Sequence, residues 1–424
     1  MLFNKPTSAR RKPIASRSLM LLILLISAVA DAEVPTTVVN LQQALAWTLA
    51  RHPELQVFQH RAAAYQGFAD EVGASPRPTV ALEVEDFAGN DSRDGFDSAQ
   101  TTLSVSWLIQ GDRLTSRRNS ALLSASQLEL ERQIAALDLS AQTARYFIQA
   151  LVEQQRILLT EQAVAQAKRA VAAINKRVET GRSPNYDLLQ AEVNLAQHEL
   201  EAEDLEHEMD AILFRLAAQW GDGRERYRPV GDIYRLPAIG DVNHLFAELK
   251  NNPSLQLLAN QQRIKESQIN LARIEARPQW QMGLGLRRYE ETDDYALVAG
   301  LSVPLGSDRS STGRMEKLRA EQAQASAEST AIEQQLDTQL FVLLQEIKHS
   351  EHVIETLRQQ IIPRLDRAQQ EAGQAYQAGL LSYQQWLALQ NQKLTAQQSL
   401  LDTFEKLHLQ HIELQRLTGT SLTQ

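Results

Sequence analysis

The stretch Tyr376-Gln377-Ala378-Gly379-Leu380-Leu381-Ser382 is the turn from which the fold is read. On its N-terminal side Ile332, Leu336, Leu340, Leu343, Ile347, Ile354, Leu357 and Ile361 recur at steps of three, four or seven, one face of a helix. On its C-terminal side a second helix runs back to about Leu417. The spacing therefore predicts a helical hairpin over 308–418. Its first arm, at ~1.5 Å per residue, spans on the order of 100 Å, a rod rather than a globular helix.

Going backwards from this turn, the same order of signals is found a second time. His52-Pro53-Glu54-Leu55-Gln56 returns as Asn252-Pro253-Ser254-Leu255-Gln256, and Arg77-Pro78 as Arg277-Pro278, each 200 positions on. Leu103-Ser104-Val105-Ser106 returns as Leu301-Ser302-Val303-Pro304, and Gly181 as Gly379, each 198 on. Four landmarks in one order with nearly one offset identify an internal tandem repeat. The first repeat is expected over 33–220, with strands at about 79–88 and 99–110 and a hairpin at 112–219. The second is expected over 243–424, with strands at about 279–289 and 294–304 and the hairpin at 308–418. Residues 221–242, rich in Gly, Pro and charge, form the linker, with the potential to pack as a belt around the rods.

Each long arm has its own signature. Leu130, Ile134, Leu137, Ala141, Ala144, Ile148 and Leu151 alternate at four and three, a coiled-coil seam whose alanines allow close approach. Gly181-Arg182-Ser183-Pro184-Asn185 breaks this arm, and a return helix follows from Tyr186. In the second hairpin Pro363 removes a backbone hydrogen bond and should bend the helix, either as a static kink or as a hinge for the tip.

The strands alternate. Val80, Leu82 and Val84, then Leu103, Val105 and Trp107, then Trp280, Met282, Leu284 and Leu286 share an apolar face, while Glu83, Glu85, Thr102, Ser104, Gln281 and Arg287 lie opposite. At ~9 to 10 residues the strands have the length of tilted membrane strands. Four strands cannot close a barrel, and an open edge in lipid leaves backbone groups unsatisfied. Either the sheet is soluble and covered by helices, or several chains pool strands, and three chains giving twelve would leave a lumen.

The chain has 424 residues, 43% of them apolar, with no cysteine. Disulfides, thiolate metal sites and a lipid-bearing N-terminal cysteine are excluded. Lys5, Arg10, Arg11, Lys12 and Arg17 precede the apolar run Leu19 to Val29, followed by Ala30-Asp31-Ala32. Residues 1–32 read as a secretory signal peptide. The alternative, a membrane anchor, is disfavoured because the run falls short of the ~20 residues that span a bilayer. Removing residues 1–32 takes away five bases and one acid, shifting the net charge from −9 to −13. An acidic chain without basic, aromatic-interleaved patches is not a nucleic-acid binder. Phosphate-binding loops, the nucleophile elbow, His-Glu-x-x-His and the dinucleotide fingerprint are all missing, so no enzyme and no cofactor is expected.

With these elements in place the chain resembles the TolC-like outer membrane efflux proteins over essentially its whole mature length. The family's fold implies a mainly α chain with a small β part: a homotrimer whose long hairpins form a helical barrel through the periplasm. Four strands per chain would then contribute to a 12-stranded transmembrane β-barrel in the outer membrane of a Gram-negative bacterium. Within the family it is most similar to the outer membrane components of cobalt-zinc-cadmium type heavy-metal pumps. That similarity is carried by Leu216-Ala217-Ala218-Gln219-Trp220-Gly221, by Leu301-Ser302-Val303-Pro304-Leu305 with Asp308-Arg309 and Gly313, and by Pro363 followed by Tyr376-Gln377-Ala378-Gly379. Gly306-Ser307 departs from the usual apolar continuation. The resemblance implies an exit duct of a tripartite system, energised by an inner-membrane pump and joined to it by a periplasmic adaptor. A type I secretion duct of the same fold and a soluble periplasmic scaffold are the alternatives.

The resemblance also implies that the adaptor docks at the tips, here Arg177, Gly181, Arg182 and Ser183 with Gly379, Leu380, Leu381 and Ser382. A plain helix cap without a partner is the competing reading of the same residues. Well-known members carry a ring of aspartates six and nine residues past the second tip glycine, where this chain has Gln385 and Ala388. Asp187, six past Gly181, is the pore-gate candidate that remains, giving three carboxylates in a trimer. His349/His352 and His408/His411 are i,i+3 pairs, either metal ligands or solvated and packing residues.

Overall fold

The computed structural model describes residues 37–90, 93, 95–222, 227–304 and 309–420. The expected signal peptide at 1–32, Asp91, Ser92 and Asp94 of the first polar loop, and Leu305 to Asp308 before the second hairpin lie outside the described residues. The first half comprises β1 (Thr37–Val39), α1 (Leu41–Arg51), α2 (Pro53–Gly73), β2 (Thr79–Glu85), β3 (Gln100–Ile109), α3 (Asp112–Glu179) and α4 (Asn185–Ala218). The second repeats that order: β4 (Tyr227–Pro229), α5 (Val242–Leu249), α6 (Pro253–Glu275), β5 (Trp280–Tyr289) and β6 (Asp294–Ser302). Its hairpin is α7 (Arg309–Thr356), a π-helical turn (Leu357–Ile361), α8 (Ile362–Gln377) and α9 (Tyr383–Thr418).

The duplicated landmarks have a common physical cause. His52 and Asn252 are N-caps, accepting from the Glu54 and Ser254 amides at 3.2 and 2.7 Å, and the prolines behind them occupy the first helical turn, where a missing N–H costs nothing. Every arm ends at a glycine with positive φ: Gly181 at 69°, Gly221 at 78°, Gly379 at 79° and Gly419 at 71°. At Gly181 and Gly379 the next amide reaches back five residues, Arg182 to the Arg177 carbonyl at 2.8 Å and Leu380 to the Ala375 carbonyl at 2.9 Å. This is the Schellman closure of a helix end. Gly221 and Gly419 make the same closure at the far ends of the return helices, a pair that sequence reading passed over.

Two expectations need correction. The strand expected at 79–88 ends at Glu85, because Asp86 and Ala88 both take φ of 55° and leave extended geometry. Ile361, expected on the buried stripe of the second hairpin, is exposed. The stripe holds from Leu336 to Leu357, after which the π turn inserts an extra residue and rotates the following side chains. Pro363 explains its position: with no N–H to donate, the helix loses one rung there.

The middle of α3 is buried on more than one side. Beyond Ala141, Ala144, Ile148 and Leu151 of the seam, Ser140, Thr143, Phe147, Ala150 and Val152 are also buried. Along its length α3 packs against α1, α2, α4, α6 and α9. The main core lies at this level, joining Phe147, Leu340, Ile347, Phe404 and Leu407 to Trp220, Tyr227 and Ile233 of the linker region. The linker lies across the rods: β4 pairs with β1 in parallel, Tyr234 meets Phe404 edge-on at 5.3 Å, and the His408 Nε2 bonds the Ile233 carbonyl at 2.8 Å. Beside it the Arg156 guanidinium is shared among Glu153, Asp402 and Glu405, at 3.3, 2.9 and 2.8 Å.

At one end of the rods β2, β3, β5 and β6 form an antiparallel sheet in that order. The register aligns Leu82 with Leu103, Leu103 with Leu286, and Leu286 with Leu297, so apolar side chains line one face across all four strands. That face is bare: Leu82 is 68% exposed, Leu284 58% and Leu297 89%. The opposite face is polar, and part of it is cross-linked by one side chain. Arg287 reaches over three strands, donating to Thr102 and Gln100 at 2.8 and 2.9 Å and pairing with Glu85 at 2.8 Å. Among the described residues no helix is long and apolar enough to cross a membrane.

Candidate functional site at the hairpin tips

At the other end of the rods the two tips are packed side by side. Ile174, Ala191, Tyr376 and Tyr383 are buried together, with Val178, Leu188, Leu381 and Trp386 around them. Tyr376 stacks on Trp386, centroids 5.3 Å apart and planes 3° from parallel, and Tyr383 sits 6.0 Å from Trp386 at 54°. The Arg177 guanidinium from the first hairpin lies 4.9 Å from the Tyr376 ring of the second. Its Nε donates to the Ser183 Oγ at 3.2 Å, and Nη1 lies 3.5 Å from the Tyr376 carbonyl. Gln384 donates to the Tyr186 hydroxyl at 3.2 Å, a second polar link between the hairpins. One cation thus fastens its own turn and the neighbouring one.

The remaining tip residues divide by exposure. Gly181, Arg182, Gly379 and Ser382 are exposed, Leu380 is 83% exposed, and Ser183 and Leu381 are half-buried under the turns. Nothing lies within 4 Å of a Cβ built at either glycine, so it is the left-handed backbone alone that calls for glycine there. Ser382 caps α9 in a reciprocal box with Gln385, whose Oε1 accepts from the Ser382 amide at 3.1 Å and hydroxyl at 3.0 Å. Gln385 is therefore committed to the cap of α9. Ala388 is exposed.

Asp187 is half-buried in the first turn of α4. Its charge bears on Tyr383: burial, then Tyr376, then Asp187 push that phenol up to about 12, so it stays a neutral hydroxyl. The structure thus brings Arg177, Asp187, Tyr376 and Tyr383 to one junction. The three aromatics were missed by periodicity, although Tyr376, Tyr383 and Trp386 fall within eleven residues of a chain only 6% aromatic. That density was the available signal.

The histidines separate. His349 and His352 are exposed on α7. His408 and His411 are half-buried on α9, the His408 Nε2 is engaged by the linker carbonyl, and burial holds both rings below the usual histidine range. Among the described residues no three His, Cys, Asp or Glu side chains converge to hold a metal.

Residues 44–222 match the family model described as outer membrane efflux protein. The chain is 23% identical over 314 residues to the cobalt-zinc-cadmium resistance protein CzcC of Cupriavidus metallidurans, covering 73% of this chain and 72% of that protein. Its fold is similar to the crystal structure of CusC, with a TM-score of 0.74 and 16% identity over 96% of this chain and 99% of that one. It is also similar to the outer membrane protein VceC of Vibrio cholerae, with a TM-score of 0.70 and 17% identity over 90% and 96% of the two chains.

Proposed function

We propose that the chain is an outer membrane efflux protein, as the match over residues 44–222 supports, and that it is the trimeric exit duct of a tripartite system releasing heavy-metal cations. The observation that carries the reading is the sheet. Its apolar face is exposed, its other face carries the polar side chains, and β2 and β6 each lack a partner on one side among the described residues. Such a sheet is the inverse of a water-soluble one. Lipid on the apolar face and neighbouring copies on both edges satisfy it, and three copies close a twelve-stranded barrel.

A second exposed seam supports the trimer. Tyr186, Leu189, Val193 and Leu200 on α4 follow the three-four step and are 54–60% exposed. A rod of a neighbouring copy covers this stripe. The exposed turns at Gly181-Arg182 and Gly379-Leu380 form six tips around the mouth, where the periplasmic adaptor of an inner-membrane pump docks. Residues 33–220 and 243–424 act as two equivalent repeats, 221–242 as their tie, and residues 1–32 as the export signal. The duct is a passive component of that system. Its work is a closed tube, a gate and a docking surface, with Asp187 as the carboxylate nearest the gate.

Metal cargo is carried over from the relative named for cobalt, zinc and cadmium resistance. Detergent extraction followed by mass measurement and planar-bilayer recording tests the duct: a pore-forming trimer is expected, and a soluble monomer without conductance would refute it. Deleting the gene and measuring growth in cobalt, zinc and cadmium salts tests the cargo. Normal metal tolerance with loss of a secreted protein would point instead to type I secretion.

A further inference from the structure

We propose that cation preference in this duct is set inside the sheet, by Glu83, and not only at the tips. The inference rests on the channel reading above, in which the polar face of the sheet lines the lumen. The register makes Glu83 face Thr102 on β3, on the polar side, one pair below Glu85 and Gln100. Four charged residues lie on that face: Glu83, Glu85, Arg287 and, at the outer rim opposite Tyr289, Asp294. Arg287 is consumed. Its guanidinium pairs with Glu85 and donates to Thr102 and Gln100, which holds β2, β3 and β5 together and cancels the Glu85 charge.

Glu83 is left exposed, with no ion pair and no hydrogen bond among the described residues. Around it the face is small or neutral. Gly283 and Gly285 stand on β5, and a Cβ at Gly285 would meet the Ser104 Cβ at 2.9 Å, so that strand packs flat against its neighbour. Below the rim, each chain therefore contributes one uncompensated negative charge to this face. Three chains make a ring of three carboxylates in a tube bounded outside by lipid, where a fixed charge is screened less than at an open surface. Such a ring raises the local concentration of cations and repels anions, which fits a cationic cargo.

The test is the reversal potential of single trimers in a planar bilayer under a salt gradient, with potassium chloride as the probe. Glu83→Gln should lower the cation-to-anion permeability ratio by about twofold or more, and Glu83→Lys should invert the preference. Glu85→Gln, which leaves Arg287 uncancelled, should also lower the ratio. Arg287→Gln, which frees Glu85, should raise it. Pores whose ratio is the same in wild type, Glu83→Gln and Glu83→Lys overturn the inference while leaving the channel reading intact. The absence of any pore in the wild type overturns both. Glu83 makes no contact that its replacement removes, so the Glu83→Gln trimer is expected to assemble normally.

Discussion

Replacing Arg177 with alanine should loosen the tips. The side chain makes three contacts across the turn: the Tyr376 ring at 4.9 Å, the Ser183 hydroxyl at 3.2 Å and the Tyr376 carbonyl at 3.5 Å. Stacking of a partly exposed guanidinium on a tyrosine contributes about 0.5–2 kcal/mol. The hydroxyl bond adds about 0.5–1.5 kcal/mol, and the carbonyl contact, at the limit of hydrogen-bond distance, adds little. The loss is about 1–3 kcal/mol per chain, which shifts a local closed-to-open equilibrium about 5- to 150-fold. Should three tips open in concert, even the lower figure compounds to about 100-fold. Hydrogen exchange read on peptides covering 171–190 and 370–390 should accelerate, and single-channel open probability should rise. Arg177→Lys keeps the charge but loses the planar stack, so it should fall between. Unchanged exchange and open probability in Arg177→Ala would show that the aromatic cluster alone holds the tips and that the cation is incidental.

Glu153 is 1% exposed with one carboxylate oxygen unbonded, and burial raises its pKa and that of Glu405 against the opposing pull of Arg156. A carboxyl raised on folding stabilises below its unfolded pKa and loses that contribution as pH climbs through its folded one. The melting temperature of the solubilised protein should accordingly rise on moving from neutral to mildly acidic pH, and Glu153→Gln should flatten that slope. Gly379→Ala should cost about 1–2 kcal/mol from the left-handed backbone alone. Gly419→Ala should cost more, because its Cβ would also meet the Pro253 Cδ at 3.1 Å; denaturation midpoints of the two variants compare them. Leu284→Lys on the bare sheet face should reduce the membrane-inserted fraction after fractionation, by about 2–4 kcal/mol if it sits near the bilayer centre. The double variant His349→Ala/His352→Ala should leave zinc titrations unchanged, since no third ligand stands beside that pair.

What was legible in the sequence is what repeats or alternates. His52-Pro53 and Asn252-Pro253 could be matched because both encode an N-cap followed by proline, and Gly181 and Gly379 because both close a helix with positive φ. The strand faces followed from alternation alone, since a sheet with one apolar and one polar face keeps strict period two. Features without a period were hidden. The π turn at Leu357–Ile361 shows in the sequence only as the proline after it, and a uniform helix would carry the buried stripe through Ile361. The second buried side of α3 is invisible to a one-stripe reading, because alanine, serine and threonine at 140–150 look neutral until several neighbours press on them. The tip junction depends on Arg177 meeting Tyr376 199 positions away, and no local pattern announces such a pair.

The linker that lies across the rods at Phe404 and His408 sets a fulcrum. From Phe404 to the tip at Ser382 the return helix runs 22 residues, about 33 Å at its usual rise. With the equator held by Tyr234, Ile233 and the shared Arg156 guanidinium, a tilt of about 10° there carries the tip about 6 Å sideways. Small repacking at the waist is thus geared up into a wide displacement at the tips, and the waist need never come apart for the tips to move.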